Sequence, residues 1–177
     1  MARFVLVHAL LGSAVLVSYV HGIRTHPDRL GAIWGTMPAQ LKSLYQVWML
    51  VAAASYFPVA YAFLTHRSAS YFGGVVPAAR GELFVDVTWV ALLTASALWM
   101  PLTFHWLETS SRAAYVAMRV VLAVTAFASY ALLAALLTRE PRGGVDWWAA
   151  VVGQVLFTVQ TGLLDPWIWP LYVQAED

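Results

Sequence analysis

Five long apolar stretches, separated by short polar or glycine- and proline-rich breaks, set the pattern of this chain. They are Phe4–Val20, Leu44–Leu64, Leu83–Trp106, Ala113–Leu137 and Trp147–Trp169. Each approaches the roughly 20 residues that an α-helix needs to cross a bilayer. Hydrophobic residues run on continuously within them, without the two-residue alternation of a membrane barrel, so helices are predicted. The breaks carry turn chemistry. His26-Pro27-Asp28 opens a long loop, and the segment from Ser70 to Gly81, with Gly73-Gly74 and Pro77, separates the second and third helices. The run Glu140-Pro141-Arg142-Gly143-Gly144 separates the fourth and fifth. Glu108-Thr109-Ser110-Ser111-Arg112 is a tight hydrophilic turn that also supplies an N-cap for the fourth helix. The predicted fold is an all-α integral membrane protein, a single five-helix transmembrane bundle.

Composition agrees with that pattern. Hydrophobic residues make up 61% of the 177, and charged residues 11%, where a soluble domain carries about 25%. The net charge of +1 offers no electrostatic footprint for nucleic acid. The absence of cysteine excludes disulfides, thiolate catalysis and Cys-zinc sites. The first apolar run follows a single Arg3 and ends at His21-Gly22-Ile23-Arg24, without a small-residue cleavage site. It is expected to be a retained helix rather than a signal peptide. Five crossings place the termini on opposite sides. The N-terminal side, side A, carries Arg3, Arg67, Arg80, Arg139 and Arg142; side B carries Arg24, Arg29, Lys42 and Arg112. This near-even split leaves orientation undecided by the positive-inside rule.

The candidate chemistry lies near side B. Pro101 interrupts the third helix and removes the backbone donor for the carbonyl four residues before it. In lipid that group must meet protein or line a cavity, and Trp99 and Phe104 flank it. The loop string Trp34-Gly35-Thr36-Met37-Pro38 leads to Tyr45 and Trp48 on the same side. Aromatic faces, few charges and a lid-like loop describe a site for a flat apolar ligand; ordinary aromatic core packing would give the same string. Arg119 and Asp165 lie at similar depth, either paired or with the arginine snorkelling to headgroups. Asp86 is read as a capped or solvated helix end. Tyr71, Trp106, Trp147, Trp148, Trp167, Trp169 and Tyr172 read as an interfacial aromatic belt, whereas Trp48, Trp89 and Trp99 sit well inside their segments. Of five histidines, only His21 and His105 share a depth, and a bis-imidazole haem site would need such a facing pair. Ser55, Ser96 and Ser129 have no sequence-evident base, so packing or backbone bonding is expected of them. No nucleophile or metal-ligand motif is present.

The third-helix string Ser96-Ala97-Leu98-Trp99-Met100-Pro101-Leu102-Thr103-Phe104 resembles the Asn-x-x-Trp-x-Pro-x-Phe-Phe pattern of the translocator proteins, the tryptophan-rich sensory (TspO) family. In the first loop, Trp34, Pro38 and Leu44-Tyr45 follow that family's order, and Thr161-Gly162-Leu163-Leu164 resembles its fifth-helix string. Ser96 and Leu164 stand where the family has Asn, and Leu41 where it has Trp. The resemblance implies a five-helix membrane protein, a homodimer, whose cavity opens toward the first loop. That cavity would accept a porphyrin, haem or a sterol-like molecule, with Trp34, Tyr45, Ser96, Trp99 and Phe104 lining it. No cofactor is obligatory in this reading, and the missing polar and Trp positions argue against catalysis. Trp48, Arg119 and Asp165 complete the expected ligand-binding set from their depth alone. Two alternatives remain. The string Tyr56–Leu64 looks like part of a helix in the sterol-isomerase and sigma-receptor-like class, although the mid-bundle lacks that chemistry's carboxylates. An accessory subunit of a membrane complex, holding quinone or haem through His21 and His105, would read much the same.

Overall fold

The computed structural model describes residues 1–66, 69–72 and 77–173. Arg67 and the Gly73-Gly74 pair of the second break lie outside the described residues. Five helices are long and apolar enough to cross a membrane, and the chain is a multi-pass membrane protein. They are α1 (Ala2–Thr25), α2 (Ala39–Thr65), α3 (Ala78–Thr109), α4 (Arg112–Thr138) and α5 (Val145–Thr158), the last continuing as a π-helix over Val159–Ile168. α1 to α4 outrun the predicted apolar stretches at both ends. Backbone bonding carries each helix past its last apolar residue into the headgroup zone, where hydropathy no longer reports it. Ser111 caps α4 as expected, accepting from the Ala114 N–H at 3.4 Å.

Around the bundle, α3 packs between α1 and α4, and α5 between α4 and α2. The ring is loosest between α1 and α2. Among the described residues their main link is a hydrogen bond between His8 Nδ1 and the Tyr56 hydroxyl in the side A half. α1 is also the least buried helix, with Leu6, Leu10, Leu16 and Val17 facing outward as a lipid-facing surface requires.

The core divides into two apolar clusters. The side A cluster centres on Trp89, Phe63, Leu92, Leu132 and Leu136. The side B cluster centres on Tyr45, Met100, Phe104, Met118 and Trp169. Tyr71, Trp106, Trp147 and Trp169 are all buried, which corrects the belt reading for these four: their rings fill the two clusters. Trp148 and Trp167 remain exposed. A polar clamp ties α4 to α5, where Gln154 Nε2 donates to the Ser129 carbonyl at 3.0 Å and Ser129 Oγ lies 2.8 Å from Thr158 Oγ1. Ser129 therefore bonds across helices, whereas Ser55 donates to the Val51 carbonyl of its own helix.

Gly153 sets the approach of α5 to α2. A Cβ there would lie 2.9 Å from the Ser55 carbonyl oxygen and 3.2 Å from Pro58 Cγ. Backbone cannot yield as a flexible side chain can, so Gly153→Ala is expected to cost about 1–3 kcal/mol by overpacking. Unfolding by SDS in mixed micelles measures this, and an unchanged midpoint would show that the helices separate freely.

Side A is closed by charge. Asp86 is 7% exposed and accepts from Arg3 Nε at 2.9 Å. It is a buried partner of α1, not the solvated helix end read from sequence. His66 Nε2 meets Asp146 Oδ2 at 2.5 Å, joining the end of α2 to the start of α5.

Candidate functional site

The side B half holds most of the residues singled out from sequence. Tyr45 on α2 is buried and donates its hydroxyl to Asp165 Oδ1 at 2.5 Å. Gln160 Nε2 donates to the same oxygen at 2.6 Å. The π-helix makes this possible. Five α-helical residues advance about 140° beyond a full turn, whereas π winding bonds i to i+5 and stacks such residues one above another. Gln160 and Asp165 thus share a face only because the helix is wide here. Tyr130 on α4 secures the wide segment, donating to the Gly162 carbonyl at 3.0 Å.

Aromatic rings surround this carboxylate. Trp34 meets Tyr45 edge to face at 5.7 Å, and Lys42 Nζ lies 5.5 Å from the Trp34 ring centroid. Tyr19 on α1 packs against the same cluster and pairs with Trp99 at 5.7 Å. Trp99 in turn meets Trp169 at 5.5 Å. The first loop roofs the cluster. Trp169 Nε1 donates to the Ile33 carbonyl at 2.8 Å, the Thr36 N–H donates to the Tyr172 carbonyl at 2.9 Å, and Arg29 Nη1 donates to the Leu107 carbonyl at 3.0 Å.

Of the two readings of Arg119, the ion pair with Asp165 is not formed. Arg119 Nη2 donates instead to the Pro166 carbonyl at 3.1 Å. Pro170, four residues on, has no N–H to offer that carbonyl, so the arginine supplies the missing donor. Ser96 and Trp48 are half-buried and make no hydrogen bond or ring pairing with the cluster among the described residues. The indole nitrogens of Trp48 and Trp99 and Oε1 of Gln160 are buried without partners.

No protein-family model, curated protein or solved structure matches this chain. Phe104 belongs to the side B cluster but turns one face elsewhere, stacking on His26 at 4.3 Å. There it lines, with Pro101, Ser18, Gly22, His21, His105 and Glu108, a cavity of about 230 Å³ between α1 and α3. The proline singled out from sequence thus borders a cavity. His26 also meets Glu108 at 3.0 Å. His21 and His105 do share this space, but it is smaller than the roughly 300–1,000 Å³ of drug-sized ligand sites, and a haem is larger still. Among the described residues, no three His, Asp or Glu side chains are grouped to hold a metal ion.

Tyr19, Gln160 and Trp169 were not singled out for the site. Tyr19 depends on α1 lying beside α3, which no local string encodes. Trp169 carries the signature of an interfacial ring. Only Gln160 left a trace, its five-residue spacing from Asp165, which is meaningful once π winding is known.

Proposed function

We propose that this chain is a membrane-embedded binding protein for a flat hydrophobic molecule, in the manner of the translocator proteins, with a transport, sensory or regulatory role. The observation that carries the reading is the roofed aromatic cluster of Trp34, Tyr45, Trp99 and Trp169 around a polar pair, Asp165 and Gln160. An ionisable group within a membrane bundle is costly and marks a functional site by default. The unpartnered N–H of Trp99 and carbonyl of Gln160 are the kind of fixed polar groups that orient a ligand in an apolar site. The loose seam between α1 and α2 would let such a molecule enter from the bilayer. Porphyrin, haem and sterol-like molecules are the classes proposed for this site. The propionates of a tetrapyrrole would look to Arg24, because Arg29 and Arg119 already serve backbone carbonyls. A homodimer is part of the same proposal.

Tryptophan-fluorescence quenching of the detergent-solubilised protein, titrated with protoporphyrin IX and with a sterol, tests this. Saturable quenching is expected, weakened about tenfold or more by Trp99→Ala, as for a buried aromatic anchor. Trp148→Ala is the control, since that ring is 59% exposed at the opposite end. Linear, non-saturable quenching in all three proteins would defeat the proposal.

A further inference from the structure

We propose that the ligand of this site carries a protonated amine, and that Asp165, bonded to Tyr45 in the aromatic cluster of Tyr19, Trp34 and Trp99, is the group that receives it. The inference rests on the ligand-binding reading above and names the chemistry of that ligand.

A carboxylate in a membrane bundle is stabilised by an opposite charge or by several donors. Asp165 has two neutral donors, the Tyr45 hydroxyl and the Gln160 amide, and both reach Oδ1. Among the described residues Oδ2 accepts no hydrogen bond, and no Lys, Arg or His forms an ion pair with Asp165. The nearest arginine along the bundle, Arg119, is turned to the Pro166 carbonyl. Gln160, 5% exposed, adds a second acceptor, Oε1, that is buried without a partner. Asp165 is partly exposed, so its Oδ2 is open to an incoming donor on the face of the π-helix it shares with Gln160 Oε1. A donor with positive charge completes both.

The walls agree with that choice. Tyrosine and indole faces carry negative quadrupole density, which attracts an ammonium, most strongly where water is excluded. Tyr19 and Trp99 pair at 5.7 Å in the cluster that holds Tyr45, and Trp34 closes on Tyr45 from the loop side. The same walls present apolar area for a hydrophobic body attached to the amine.

The test compares two probes of one shape in nanodiscs of neutral phosphatidylcholine. One is 4-benzylpiperidine, charged at neutral pH; the other is 4-benzyltetrahydropyran, in which oxygen replaces the ammonium. Binding is read by titration calorimetry with empty nanodiscs subtracted. The native protein is expected to prefer the amine by about tenfold to a hundredfold, the worth of a charge-assisted hydrogen bond. Asp165→Asn, which keeps an acceptor for Tyr45 and Gln160, should bring the preference toward one, and Asp165→Glu should restore part of it. Equal affinity for both probes in the native protein would overturn the amine inference while leaving hydrophobic-ligand binding standing. No saturable binding of either probe, of protoporphyrin IX or of a sterol would overturn both.

Discussion

Trp89→Ala is expected to cost about 3–5 kcal/mol, the range for deleting a large buried aromatic. The indole is 1% exposed and meets rings on two neighbouring helices. It meets Phe4 at 6.3 Å and His8 at 4.6 Å on α1, and Tyr56 at 5.6 Å and Phe63 at 6.0 Å on α2. Lipid tails are as apolar as the core, so transfer from water does not hold these helices together. Close packing does, and a void at position 89 forfeits contacts to both α1 and α2. The seam between those helices has little else, so the loss falls where the ring of helices is weakest. Trp89→Phe should behave differently. It keeps most of the ring and removes an indole N–H that is buried without a partner, so its effect is expected within about 1 kcal/mol of zero. SDS unfolding in mixed micelles, followed by circular dichroism, separates the two. Equal midpoints for both variants and the native chain would show that α1 is held by something other than this ring.

Gly35→Ala is expected to unlatch the first loop. Gly35 has φ +50° and ψ −125°, with the Met37 N–H bonded to the Trp34 carbonyl at 3.0 Å. This is a turn of type II′ character, whose first central position favours glycine. A Cβ there would lie 2.0 Å from the Tyr172 carbonyl oxygen, the same oxygen that accepts from the Thr36 N–H and, at 3.2 Å, from Thr36 Oγ1. An alanine therefore meets both backbone strain and a backbone clash, and the loop must leave Tyr172. The cost is about 2 kcal/mol or more, from strain alone up to 1–3. Arg29 and Lys42 bracket the loop, so trypsin reads its opening directly. Cleavage between α1 and α2 should accelerate at least about tenfold, which corresponds to about 1.4 kcal/mol in the opening equilibrium. Ligand affinity should fall with it, because Trp34 leaves Tyr45. A cleavage rate equal to the native one would show that the loop is not latched through Tyr172.

How much of this was legible in sequence depends on the range of the interaction. The five spans follow from hydrophobic run length, and the cap at Ser111 from local side-chain chemistry. The position of Pro101 beside a cavity follows from a missing donor that lipid cannot replace. Asp165, Tyr45, Trp34 and Trp99 were legible as a set because they share a depth, which helix rise and alternating direction determine. Their mutual contacts were not. Arg119 and Asp165 also share a depth, yet the arginine turns to a carbonyl that Pro170 leaves open. Asp86 looked like an exposed helix end because its depth was known and its neighbour was not; Arg3 occupies that place only because α1 lies against α3.

The sequence by itself determined what is additive along the chain: the all-helical class, the membrane as solvent, the number of spans, the breaks between them and the depth of each polar group. Hydropathy and backbone satisfaction are summed residue by residue, so a one-dimensional reading suffices for them. The tertiary structure decided which helices are neighbours, which aromatic rings are core and which face lipid, and where the fifth helix widens. It also decided that Gln160 and Asp165 stand on one face beneath the latched loop. Those outcomes depend on side-chain contacts between segments 120 to 136 residues apart in sequence, from Tyr45–Asp165 at 120 to Trp169–Ile33 at 136, and no local pattern encodes a partner at that distance.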